Sequence, residues 1–291
     1  MSEPESVHAE TRLGPVCLRV RDLEAVLEFY ENDLGLRAHE RNGQTVELTP
    51  STETTEPILV LRHDPEAKKA PSNSAGLYHY AILLPSRMSL AQTYIELGNR
   101  GVVFDGYADH LVSEALYLTD TEGNGIEIYA DKPKNQWPHD ADGDLQIGTY
   151  PLDIDSLLKE LSGALQQRGH GMPEGTRLGH IHLKVTEIRR SVDFYKRILG
   201  FDLMNYWGSA AFLSTAGYHH HIGLNTWESL MGGSHVNGYA GLEYFTVTMP
   251  NSDYLQQLIS RLGDVSFEMQ SPTKLFIADP DGIKLIVSTT T

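Results

Sequence analysis

The chain has 291 residues, room for two domains of ordinary size, and 40% of them are hydrophobic, enough for normal cores. No apolar run approaches the roughly 18 residues of a membrane span, and 39 acidic against 23 basic residues give a formal net charge of −16, which argues against a nucleic-acid partner. The opening MSEPESVHAETR has no basic stretch followed by an apolar one and is not expected to be a secretory signal; with Cys17 as the single cysteine no internal disulfide exists, and a cytoplasmic location is the expectation.

In chain order, LGPVCLRV (Leu13–Val20) reads as a first strand in which Cys17 alternates with apolar neighbours, the pattern of a buried structural thiol. A helix is predicted over Leu23–Leu34, with Leu23, Val26, Leu27 and Tyr30 at helical spacing, Asp22 as its N-cap and Gly35 ending it. A second unit opens with LYHYAILLP (Leu77–Pro85), continues as a helix over Leu90–Arg100, and closes as a strand–turn–strand over Ala115–Tyr129. Its turn, Asp120–Gly123, has Asp at the first position and Gly at the fourth. A Pro-bearing linker follows, with one amphipathic helix predicted over Ile154–Leu165 and nothing that suggests chemistry. LGHIHLKV (Leu178–Val185) opens a third unit, followed by a helix over Ile188–Leu199, Gly200, and a later strand GYHHHIGLN (Gly217–Asn225). The fourth unit opens with LEYFTVTMP (Leu242–Pro250), has a helix over Asp253–Leu262, and closes over Lys274–Ser288 with the turn Asp279–Gly282.

These are four copies of one βαβββ pattern in the order A-B-A-B, and a repeat fixes architecture before anything else is argued. Copies one and three share "FY…LG" (Phe29-Tyr30 to Leu34-Gly35; Phe194-Tyr195 to Leu199-Gly200), and two and four share the closing strand–turn–strand. The expectation is α+β, four modules in two domains, 1–131 and 176–291, joined by a linker over 132–175. Alignment of the opening strands puts Pro15, His79, His180 and Tyr244 at one place in the repeat. In the closing strands Glu127 follows Asp120 by seven residues, as Ile286 follows Asp279. Two histidines and one carboxylate thus fall at repeat-equivalent positions in the middle copies, and the outer copies are blank. Burying Glu127 without compensation would cost several kcal/mol, and a metal is one remedy.

The modules, with GHIHLKV opening one and DTEGNGIEIY closing another, resemble the vicinal oxygen chelate superfamily over nearly the whole chain, in particular the two-domain type I extradiol dioxygenases of the catechol 2,3-dioxygenase kind. That resemblance implies two glyoxalase/extradiol-dioxygenase-like domains. It also implies Fe(II), with Mn(II) as the alternative, on two His and one Glu; the matching residues are His79, His180 and Glu127. This donor set leaves coordination positions open. The better-known members draw ligands from the fourth copy, where this chain has Tyr244 and Ile286. Either copies two and three therefore build the site together, with copies one and four forming a metal-free cup, or no complete site exists.

By the same resemblance, His220 of the His219–His220 pair is the catalytic acid–base, a role that imidazole suits near neutral pH. Strand alternation would put His220 on the face of Ile222 and Leu224, with His219 and His221 opposite. Tyr117, ten residues before Glu127, is expected to hydrogen-bond a substrate oxygen. His182, two residues beyond His180, is a pocket or substrate-contacting candidate. His110 and Glu114 lie upstream of Tyr117 and are candidates to approach the pocket, His110 as a substrate contact.

The expected partners are a small aromatic diol, catechol or a relative such as a hydroquinone, and O2, with homo-oligomerisation open. Two other readings remain at this point. One is a glyoxalase-like lyase or isomerase, which commonly uses four protein ligands with Zn or Ni. The other is a metal-free protein of the same fold that binds a small molecule.

Overall fold

The computed structural model describes residues 7, 9–161 and 171–290. Each copy carries one helix between its first and second strands. Copy one has β1 (Arg12–Val20), α1 (Leu23–Glu28), β2 (Arg37–Asn42), β3 (Thr45–Thr49) and β4 (Leu59–His63). Copy two has β5 (Gly76–Leu84), α2 (Arg87–Asn99), β6 (Gly106–Asp109), β7 (Ser113–Thr119) and β8 (Gly125–Asp131). The segment between the copy pairs holds α3 (Ile154–Lys159); its predicted continuation over 162–165 lies outside the described residues. Copy three has β9 (Arg177–Lys184), α4 (Ile188–Arg197), β10 (Asp202–Tyr206), β11 (Ala210–Ser214) and β12 (Ile222–Asn225). Copy four has β13 (Gly241–Met249), α5 (Ser252–Arg261), β14 (Phe267–Ser271), β15 (Lys274–Ala278) and β16 (Lys284–Thr289).

The helix boundaries follow from local chemistry. Asp22 accepts the Ala25 amide at the start of α1, and Ser86, Glu187 and Asn251 cap α2, α4 and α5 in the same way. Gly35 and Gly200 take φ of 81° and 80° after the first and third helices, where a side chain would be strained. The first helix departs from expectation in one respect. Beyond Glu28 it widens into a single π turn over Phe29–Asp33, closed by the Leu34 amide on the Phe29 carbonyl at 3.0 Å.

Strands β1–β4 and β13–β16 belong to one eight-stranded sheet and β5–β12 to the other. Within copy two, β8 runs parallel to β5 (Ala81 opposite Glu127) and antiparallel to β7 (Tyr117 opposite Glu127). Copy four repeats this arrangement, with β16 parallel to β13 and antiparallel to β15, where Phe276 faces Ile286. In copy three, β12 runs parallel to β9 with His182 opposite Gly223.

The chain divides into two compact units. One is Met1–Arg19, Ala67–Tyr78 and His180–Thr291; the other is Val20–Glu66 and His79–Gly179. They interleave along the chain, unlike the division 1–131, 132–175 and 176–291 read from the repeat. Long-range pairing is the cause: β1 lies antiparallel to β13 with Cys17 opposite Tyr244, so the opening strand of copy one packs with copy four. Cys17 is buried there, as its alternation suggested.

The two closing turns are held by one device used twice. Tyr30 donates its hydroxyl to Asp120 Oδ2 at 2.9 Å, and Tyr195 does the same to Asp279 Oδ2 at 3.1 Å. The other oxygen of each aspartate accepts two backbone amides: Glu122 and Asn124 on Asp120, Asp281 and Ile283 on Asp279. Each turn therefore anchors the start of the strand that carries Glu127 or Ile286. At Asp279 burial is the main force and pushes the carboxyl from 3.8 up to about 7; the neighbouring Asp281 adds to this, and the amides and Tyr195 oppose it. The folded state thus holds a proton that the unfolded chain releases near its ordinary carboxyl value. Stability from this group is full below pH 4 and is lost as pH rises through 7. Asp279→Asn keeps an oxygen for both amides and cannot ionise. Its melting temperature should fall less between pH 5 and pH 8 than that of the unsubstituted chain; equal falls in the two proteins would remove Asp279 as the cause.

Candidate metal centre

In copy two the burial pattern makes β8 a strand covered on both faces, so Ile126, Glu127 and Ile128 are all buried. Glu127 is 3% exposed, and its Oε2 lies 3.0 Å from Nε2 of His79 on the parallel strand β5. Tyr117, facing Glu127 across β7 and β8, sets its ring 5.7 Å from the His79 ring, centroid to centroid. Its hydroxyl is 2.7 Å from His110 Nε2. Glu114, the other upstream candidate, is taken by Arg87 at 2.6 Å, which also reaches Glu160 at 2.8 Å; it braces α2 and α3.

In copy three His180 on β9 is 1% exposed. Its ring lies 4.1 Å from the His220 ring and 6.2 Å from the His219 ring. Nδ1 of His219 and Nδ1 of His220 are 2.8 Å apart, so one must donate and the other accept. The expected alternation of His219, His220 and His221 is corrected here, because β12 begins only at Ile222 and the three histidines sit in the turn ahead of it. A turn has no period of two. His219 and His220 accordingly both lie against His180, and His221 bonds Ser214 at 2.8 Å. His182 is buried within an aromatic group: Tyr78, Trp227 and Phe212 have ring centroids 5.3, 5.5 and 5.9 Å from it. Phe212 also packs 5.0 Å from His220. No sequence signal marked Phe212 or Trp227, since an aromatic on a strand or in a loop is ordinarily read as packing.

His79, Glu127 and His180 each offer one ligand atom, and these atoms all lie within 4.8 Å of one another, with all three residues buried. Two imidazoles and a carboxylate fit a divalent first-row ion, and three protein ligands leave coordination open. The equivalent positions of copy four are apolar or aromatic. Tyr244 lies 6.1 Å from Phe276, ring to ring, and Ile286 faces Phe276 across the sheet.

A model of the Glyoxalase/Bleomycin resistance protein/Dioxygenase superfamily matches residues 12–128 and 177–287. The chain belongs to this superfamily. Among relatives of the superfamily, a protein of Bacillus subtilis (strain 168) named catechol-2,3-dioxygenase is 39% identical over 279 residues, covering 94% of this chain and 96% of its own. Solved structures are similar in fold at lower identity. One from Bacillus subtilis subsp. subtilis str. 168 has a TM-score of 0.66 at 12% identity, covering 98% of this chain and 86% of its own. Glyoxalase I from Zea mays has 0.58 at 14% identity, covering 96% and 92%. Among the described residues, no helix is long and apolar enough to cross a membrane.

Proposed function

We propose that the chain is a metal-dependent extradiol dioxygenase that opens the ring of catechol or a related aromatic diol with O2, in the cytoplasm. His79, His180 and Glu127 are the ligands of Fe(II), or of Mn(II) in its place. The observation that carries this reading is the convergence of three buried donors within 4.8 Å at the positions where the repeat is blank in its other two copies. The 39% identity to a protein named catechol-2,3-dioxygenase supports the substrate class.

When bound by His79, His180 and Glu127, such an ion would supply Lewis acidity and open coordination. The remaining work belongs to side chains. His220 is the acid–base: its Nδ1 is engaged with His219, so Nε2 is the nitrogen through which it moves a proton. Tyr117 meets a substrate oxygen. His182, with Tyr78, Phe212 and Trp227, forms an apolar and aromatic wall suited to the face of a ring.

The test is anaerobic purification with metal analysis, then addition of catechol and oxygen. One iron or manganese per chain, oxygen uptake and a yellow ring-opened product near neutral pH are expected. Stoichiometric zinc with no oxygen uptake would overturn the proposal in favour of lyase or isomerase chemistry.

A further inference from the structure

Tyr117 does not stand alone, and the histidine behind it is held by the segment between the two pairs of copies. His110 sits between two oxygens: its Nε2 is 2.7 Å from the Tyr117 hydroxyl and its Nδ1 is 2.7 Å from the carbonyl oxygen of Gly148. A carbonyl can only accept, so Nδ1 must carry a hydrogen. In the neutral ring Nε2 is then the acceptor, and the hydrogen on the Tyr117–His110 bond belongs to tyrosine. Thr149 Oγ1 also approaches Nδ1, but at 3.4 Å, and is compatible as a weaker second partner.

The backbone around this contact is built to hold it. The Gly148 amide donates back to the His110 carbonyl at 3.2 Å, and Tyr150 and Asp109 exchange amide-to-carbonyl bonds of 2.9 and 2.8 Å. Asp109 is clamped in turn by Lys132, whose ammonium lies 2.6 and 2.7 Å from its two carboxylate oxygens. A Cβ at Gly148 would meet Tyr150 Cε2 at 2.5 Å, so a side chain there requires either the Tyr150 ring or the Gly148 backbone to shift.

We infer that the Gly148 carbonyl fixes His110 in its Nδ1–H tautomer, so that Tyr117 donates to His110 and presents its oxygen to the substrate as an acceptor for a diol hydroxyl. The resemblance implied a hydrogen bond between Tyr117 and a substrate oxygen, and the His110 tautomer sets its direction. It also gives the 132–175 segment a part in the site: Gly148 and His110 are positioning residues that act through Tyr117. The hydroxyl has one hydrogen, and once that hydrogen is on the His110 side only lone pairs are left for a ligand. A substrate oxygen that still bears its proton is therefore favoured at this point over a deprotonated or O-methylated one. The inference rests on the proposed function for the identity of the ligand, while the tautomer itself does not.

The first measurement is the histidine side-chain 1H–15N correlation spectrum of the full chain, treated with chelator so that no paramagnetic ion broadens it. The His110 signals are those missing from His110→Gln. A protonated Nδ1 and an unprotonated Nε2 are expected in the neutral ring; the opposite tautomer, or a rapidly averaged pair, would overturn the inference. This readout uses neither metal nor substrate, so it stands apart from failure of the dioxygenase reading. The second measurement is turnover. Gly148→Ala should displace the carbonyl and lower kcat by about 10-fold or more at unchanged metal content, by analogy with the loss of other outer-shell orienting groups. Adding Tyr150→Ala, which removes the ring that the new methyl strikes, should restore most of that loss. An active unsubstituted enzyme with an equally active Gly148→Ala form would sink the positioning role.

Discussion

Alanine at Glu127 is expected to abolish metal retention and to reduce oxygen-dependent turnover by more than about 100-fold, since disrupting even the groups that orient a ligand costs 10- to 100-fold. Glu127 is the single anionic member of the proposed set. Two neutral imidazoles with one carboxylate give a net charge of +1 around Fe(II), which favours an anionic catecholate; without the carboxylate the ion loses both a ligand atom and the charge compensation that lets it sit in a buried place. Glu127→Gln separates these effects, because it keeps the volume beside His79, at 3.0 Å, and removes the charge. It should also retain little metal. Folding is not expected to suffer, because replacing a buried charged group with a neutral one is often neutral or stabilising where no partner charge is stranded. Tyr244→Ala serves as the comparison, because Tyr244 occupies the same place in the repeat as His79 yet packs against Phe276, 6.1 Å away ring to ring. Its metal content should match that of the unsubstituted chain. Inductively coupled plasma analysis of the three proteins decides the matter: a full complement of metal in both Glu127 variants would end the proposal that His79, Glu127 and His180 form one centre.

The triad was legible in the sequence because a repeat converts four weak signals into one comparison. A histidine on a strand says little, but His79 and His180 against Pro15 and Tyr244, with Glu127 against Ile286, mark two copies as different in kind. Local rules also served well where the physics is local: Asp22 caps α1, Gly35 and Gly200 take the left-handed conformation after the helices, and Asp120 and Asp279 open turns closed by the amides of Gly123 and Gly282. What escaped is set by distant partners. The pairing of β1 with β13 interleaves the compact units, and nothing within Leu13–Val20 specifies which strand it will meet. Strand periodicity misassigned the faces of His219 and His220 because the strand starts one residue after His221. His110 carried a spacing with no secure counterpart, and the role inferred for it rests on the Gly148 carbonyl, 38 residues on. Aromatic residues such as Phe212 look the same in sequence whether they fill a core or line a site.

Replacing His220 by alanine should leave metal content unchanged and lower kcat by roughly 100- to 10,000-fold, the span over which a positioned acid–base group contributes. The separation of the two readouts is the point of the experiment. The His220 ring lies 4.1 Å from that of His180, close enough that it could be argued to be a ligand in its own right or a mere support for one. If it were a ligand, metal would be lost along with turnover; if it only supported His180, a shape-conserving Gln would rescue both. An acid–base role predicts neither: metal stays, and Gln, which cannot exchange a proton near neutral pH, stays as slow as Ala. His219 offers an internal check. It is fully buried, and its Nδ1 is 2.8 Å from that of His220, so its loss should free the orientation of His220 and reduce turnover less than loss of His220 itself. Turnover of His220→Ala within about threefold of the unsubstituted enzyme, well under the smallest acid–base contribution, would remove His220 from the mechanism and leave the proton to another group.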